Sequence, residues 1–107
     1  MLRPYRRILT WYESYYMSGD SIGKGVVMNL SCSGLRVLGD HALAPGMEVS
    51  VRFSTDEKAA PVEVLKASVR WANEYEFGLQ IDHLAPGAAS RIARLVVDQA
   101  RTLRRDG

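Results

Sequence analysis

From Ile8 to Ile81 the chain alternates apolar and polar residues in short runs rich in Val, Ile, Leu, Tyr and Trp, broken roughly every 10 to 15 residues by Gly, Pro, Ser and Asp. A period of two with such breaks predicts antiparallel strands. Six are expected, over Arg7–Tyr16, Gly23–Leu30, Leu35–Leu38, Met47–Ser54, Val62–Trp71 and Phe77–Asp82. The intervening segments at 18–21, 31–34, 44–46, 54–61 and 72–76 carry turn-forming or solvent-seeking residues. After Pro86-Gly87 the period lengthens. Ile92, Leu95, Val96 and Leu103 then share one helical stripe, and Arg91, Arg94, Asp98, Arg101 and Arg105 share another. The pattern predicts a mostly β fold, a six-stranded antiparallel β-barrel with a C-terminal α-helix, since closure removes the exposed edges of an open sheet. The expected division is a single domain over 1–107, with residues 1–7 as a flexible N-terminal arm, 8–82 as the barrel and 86–104 as the helix.

The same alternation orients individual side chains. Trp11 and Tyr15 fall on one face of the first strand and Tyr12 and Tyr16 on the other, so one aromatic pair belongs to the core and the other offers a surface to a partner. Asn29 and Ser31 alternate with Leu30, which places both polar groups outward and Leu30 inward. Gly34 is expected to supply a turn conformation that a side chain would oppose.

Composition narrows the function. At 107 residues, 47% hydrophobic and 24% charged, the chain has the makeup of one ordinary soluble domain. Its longest apolar runs are only a few residues, far short of the ~20 needed to span a bilayer. The basic start is not followed by an apolar stretch and cleavage site, so the cytoplasm is the expected compartment. One cysteine, Cys32, and two distant histidines, His41 and His83, suggest neither an internal disulfide nor zinc or redox chemistry, and no cofactor or metal is expected. His-x-x-x-His and a phosphate-cradling P-loop are missing from the sequence. Glu74 and Glu76 fall in an expected hairpin turn, where solvated acids are the ordinary outcome. A binding module rather than an enzyme is expected.

Charge is unevenly spread within a net +2. Arg3, Arg6 and Arg7 make the first seven residues +3, residues 91–107 are also +3, and the middle is −4. A protein that coats nucleic acid shows a broad basic excess instead. Arginines concentrated at one terminus suit a small anionic ligand better.

Two short patterns remain, Arg3-Pro4-Tyr5-Arg6-Arg7 and Asn29-Leu30-Ser31-Cys32-Ser33-Gly34. An Arg-x-x-x-Arg is expected about once by composition alone, and Arg101 with Arg105 supplies another. Asx-x-Ser-x-x-Gly is expected only about 0.05 times in such a chain. In this order, and within a six-strand plus helix pattern, the two resemble the motifs of the PilZ domain. The resemblance runs over nearly the whole chain, with weaker landmarks at Gly46, Val69-Arg70-Trp71 and Phe77-Gly78-Leu79. It implies a bacterial, non-catalytic receptor for the second messenger cyclic di-GMP, bound by Arg3 and Arg7 of the first motif and Asn29, Ser31 and Gly34 of the second. It also places Trp71 where an aromatic stacks on guanine. Apart from the resemblance, Arg6 and Arg36 are expected to be no more than auxiliary cations. Where many members carry Asp at the start of the second motif, this chain has Asn29. The resemblance further implies that ordering of the arm relays the signal to a downstream protein partner.

Arginine suits such a ligand, because its planar fork pairs with phosphate oxygens or with guanine O6 and N7 and also stacks on the base. Two other readings stay open at this stage. A PilZ-like adaptor that recognises only protein would be expected to carry broken motifs, and both are complete here. A small-barrel binder of single-stranded nucleic acid would be expected to carry a basic sheet face, and the middle segment is acidic.

Overall fold

The computed structural model describes the backbone of residues 7–106 and the side chains of residues 7–99. Six strands precede one helix: β1 Ile8–Ser18, β2 Ser21–Leu30, β3 Gly34–Leu38, β4 Glu48–Phe53, β5 Val62–Asn73, β6 Glu76–Leu84 and α1 Ala88–Asp106. All pairings are antiparallel, and the order β1-β2-β3-β6-β5-β4 closes on itself as a barrel. Closure follows from β1 being long enough to pair with β2 on one side and β4 on the other.

Alternation builds the core. Tyr16, Val27, Leu30, Leu35, Val37, Phe53 and Phe77 are fully buried inside the barrel, and Val49, Val51, Val62, Val64, Val69 and Leu79 fill in around them. In β1 the inward set is Ile8, Tyr12, Ser14 and Tyr16, while Trp11, Tyr15 and Met17 face out. The expected split of the aromatic pairs is therefore found, with Tyr12 stacked on Phe53 and Tyr16 set edge-on to Phe77. The Tyr16 hydroxyl, its pKa raised by burial, accepts hydrogen bonds from the amides of Asp40 and His41 and donates to the His41 carbonyl. It pins the segment after β3 over one end of the barrel.

Element ends differ from expectation where turns are tighter than composition suggested. β1 runs two residues past Tyr16 and β2 starts at Ser21, leaving only Gly19-Asp20 as the loop, with Gly19 at φ 58°. Likewise β5 and β6 leave only Glu74-Tyr75, and Glu74 takes φ 57° although it is not glycine. Glu76, expected in that turn, is therefore a strand residue. β6 continues to Leu84, and the amide of Ala85 still bonds to the Glu63 carbonyl. Pro86 and Gly87, the latter at φ 82°, then form a turn that delays the helix to Ala88.

The helix seats Ala88, Ile92 and Val96 on the core. Arg91, on its polar stripe, donates to the Ala60 carbonyl at 2.5 Å and lies 3.4 Å from the Thr55 hydroxyl. That arginine is a clasp on the β4–β5 loop rather than a purely solvated charge.

Candidate ligand-binding face

Ile8 is buried at 4% and pairs with Leu30, so the start of β1 is anchored in the core. The residue before it, Arg7, is thereby held beside the end of β2. Its Nη1 donates to Oδ1 of Asn29 at 3.1 Å, joining two residues 22 apart in the chain. Because Asn29 is neutral, this contact orients the guanidinium without cancelling its charge, and the remaining N–H groups stay available to an anion. Arg3 and Arg6, the other arginines of the N-terminal pattern, lie outside the described residues.

Ser31 does not face outward as the alternation suggested. β2 ends at Leu30, so the strand rule stops applying one residue earlier, and Ser31 is buried at 1%. Its Oγ accepts from the amides of Ser33 at 3.2 Å and Gly34 at 3.0 Å and donates to the Gly34 carbonyl at 3.2 Å. A backbone bond from the Ser31 amide to the same carbonyl closes the turn at 2.9 Å. Ser31 thus builds the loop. Gly34 is needed for a different reason from the one expected: its φ is not positive, but a Cβ there would stand 2.7 Å from the Leu79 carbonyl oxygen. Absence of a side chain lets β3 lie close against β6.

The registers then lay out a lateral row on the outside of the barrel. Leu9 pairs with Asn29, Asn29 with Arg36, Arg36 with Gly78, and Gly78 with Trp71. From Asn29 to Trp71 this crosses three interstrand gaps, roughly 14 Å. The Trp71 indole leans back along the row onto Gly78, where a Cβ would come within 2.1 Å of Nε1. Trp71 as a whole remains 40% exposed. At the middle, Arg36 Nε sits 2.9 Å from Glu76 Oε1 in an ion pair without hydrogen-bond geometry, each side chain about a third exposed at 34% and 30%.

One face therefore carries a cation, an amide, a second cation and an aromatic plane in that order. Guanidinium groups are chemically suited to phosphate, and an exposed indole to a stacked purine. Arg36 holds a more central place than its auxiliary role in the sequence suggested, and Gly78 is the bare platform under Trp71. Counting by twos from Gly34 reaches Arg36 on the outer face, but its alignment with Asn29 and Trp71 depends on register. Cys32 is exposed in the turn between the two serines. Among the described residues no group of three or more His, Cys, Asp and Glu could hold a metal ion, and no helix is long and apolar enough to cross a membrane.

The family model of the PilZ domain matches residues 2–98. No curated protein matches the chain. Among solved structures, the Bacillus subtilis inhibitor of motility MotI/DgrA is similar at a TM-score of 0.72 and 17% identity, over 97% of this chain and 53% of that one. This chain thus spans about half the length of that protein. The PilZ domain of YcgR from Escherichia coli, solved with c-di-GMP, is similar at a TM-score of 0.72 and 15% identity, covering 99% and 97% of the two chains. The PilZ domain of CeSA from a cellulose-synthesizing bacterium gives 0.64 and 21%, covering 87% and 96%. At these identities the structural likeness concerns the fold.

Proposed function

The chain belongs to the PilZ domain family, and on that premise we propose that it is a receptor module for cyclic di-GMP that binds the nucleotide without altering it. The observation that carries this reading is the Arg7–Asn29 hydrogen bond, which brings the two sequence motifs together at one end of the Asn29–Trp71 row. Arg7 offers its unoccupied N–H groups to a phosphate or to guanine O6 and N7. Asn29 keeps a carbonyl acceptor for guanine N–H groups, and Trp71 supplies a plane on which a base stacks. Ser31 and Gly34 contribute by fixing the turn and the strand spacing that hold Asn29 in place. Arg3 contributes a second guanidinium from the N-terminal segment, with Arg6 auxiliary to it, and Pro4 limits the conformations lost when that segment closes on the ligand. Its ordering is the step a downstream protein partner reads. Likeness to the c-di-GMP complex of YcgR supports the choice of ligand.

Calorimetric titration of the full chain with cyclic di-GMP, GMP and a short single-stranded oligonucleotide tests the proposal. Saturable binding of cyclic di-GMP alone, with the nucleotide recovered intact, is the expected result. Absence of binding, preference for the oligonucleotide, or conversion to a linear product would each contradict it.

A further inference from the structure

On the opposite side of the barrel the β1/β4 seam carries an apolar groove that the ligand-binding reading leaves unused. Its space of about 470 Å³ is bordered by Tyr15, Met17, Ile22 and Leu65, with Ser50 between them. These four large side chains are 53%, 49%, 66% and 48% exposed. At up to 150–250 Å² for a large aromatic and somewhat less for the aliphatics, they present roughly 400 Å², within the range of the largest patch on a typical monomer and often functional.

Two adjacent rows run across this face. Met17 pairs with Ile22 on one side and Ser50 on the other, and a bulge in β5 sets Leu65 and Lys66 opposite Ser50, so the first row reads Ile22, Met17, Ser50, Leu65. The second reads Lys24, Tyr15, Arg52, Glu63, with Arg52 and Glu63 in an ion pair at 2.6 Å. Each row is complementary to its own reversal. A two-fold axis parallel to the strands and midway between β1 and β4 would set Met17 over Ser50, Ile22 against Leu65, the Tyr15 ring over Arg52 and Lys24 against Glu63, each pair occurring twice. Met17 then faces the small Ser50, Ile22 and Leu65 meet as an apolar pair, and each positive group faces a negative or aromatic one.

We propose that this face docks a second copy of the chain, forming a symmetric dimer through the β1/β4 seam. With the polar row included, the contact approaches the ~800 Å² per partner of a standard interface. Convexity of the closed barrel keeps it shallow, so the dimer is a reversible one. Because the barrel order places β1/β4 across from β3/β6, the Arg36–Gly78 row of each copy stays open in the dimer.

Sedimentation equilibrium of the full chain from about 10 to 500 μM tests this. The wild-type chain is expected to populate a dimer, whereas Lys24→Glu and Glu63→Lys each set like charges against one another twice and stay monomeric. An equimolar mixture of the two variants regains opposite charges at both contacts and is expected to dimerise as a heterodimer. Ile22→Glu, at the most exposed apolar position of the groove, is expected to be monomeric alone and in any mixture. Thermal unfolding of each variant checks that all are folded. A wild-type chain that stays monomeric throughout would give the face to some other partner and overturn the proposal. So would single charge variants that dimerise like wild type, or a mixture that fails to associate.

Discussion

Arg7 donates to the side-chain oxygen of Asn29 at 3.1 Å across the β1–β2 pairing, and both residues are anchored by neighbours rather than by each other: Ile8 and Leu30 are buried directly alongside. The exposed contact adds little to stability, so its consequence lies in where it aims the guanidinium.

Arg7→Ala should therefore weaken cyclic di-GMP binding by at least about tenfold, the loss of a charge-assisted hydrogen bond worth roughly 1.5–3 kcal/mol. Thermal stability without ligand should change by less than about 0.5 kcal/mol. Arg94→Ala, an exposed arginine on α1, serves as the charge control. Calorimetry and thermal unfolding of both variants check this, and equal losses of affinity would mean that generic charge drives binding.

Ser31→Ala should behave the other way round. Removing a buried hydroxyl that satisfies the Ser33 and Gly34 amides should cost about 1–3 kcal/mol of stability, read by urea unfolding. Gly34→Ala should also destabilise, because the new Cβ meets the backbone oxygen of Leu79 at 2.7 Å and only strand separation relieves it. Both should lower affinity only as far as they disturb Asn29, and an unchanged unfolding midpoint for Ser31→Ala would contradict its place in the turn.

These two residues mark where the sequence stops being informative. The barrel strands were legible because inward and outward positions alternate, as Tyr12, Ser14 and Tyr16 do against Trp11, Tyr15 and Met17. The helix was legible from its change of period. Ser31 was misplaced because it lies one residue beyond the end of β2, and alternation does not announce where a strand ends. The requirement at Gly34 comes from Leu79, far along the chain, so nothing local could reveal it. The Asn29–Arg36–Gly78–Trp71 row depends on register shifts between Val27 and Asn29 and between Val69 and Trp71. Such bulges leave no mark in the hydrophobic pattern.

Glu76→Gln should raise affinity for cyclic di-GMP, by up to about fivefold, since the Arg36 ion pair is partly exposed and worth about 1 kcal/mol or less. Arg36→Ala should lower affinity instead. In Arg36→Ala/Glu76→Gln the gain from Glu76→Gln should vanish, and binding measurements on the three variants form the cycle that checks it. A gain that survives in the double variant would show that Glu76 acts through something other than Arg36.

Trp71→Ala should cost about 1–3 kcal/mol of binding if a base stacks on the indole. Gly78→Ala should produce a similar loss with the fold retained, because its Cβ displaces the ring from 2.1 Å rather than pressing on backbone. Tryptophan fluorescence in a Trp11→Phe background should respond to ligand through Trp71. A ligand-bound spectrum identical to the free one would remove Trp71 from the site.

The central claim is that one face of the barrel, from Arg7 through Asn29 and Arg36 to Trp71, binds cyclic di-GMP, and amide NMR of the labelled chain during titration with that nucleotide tests it most directly. The account predicts saturable shifts at Arg7, Asn29, Arg36 and Gly78 and at the Trp71 indole N–H, at one fixed protein concentration, with the Tyr15, Met17 and Ser50 signals of the opposite seam unmoved. Shifts centred on β1 and β4, or no shifts at saturating nucleotide, would contradict it.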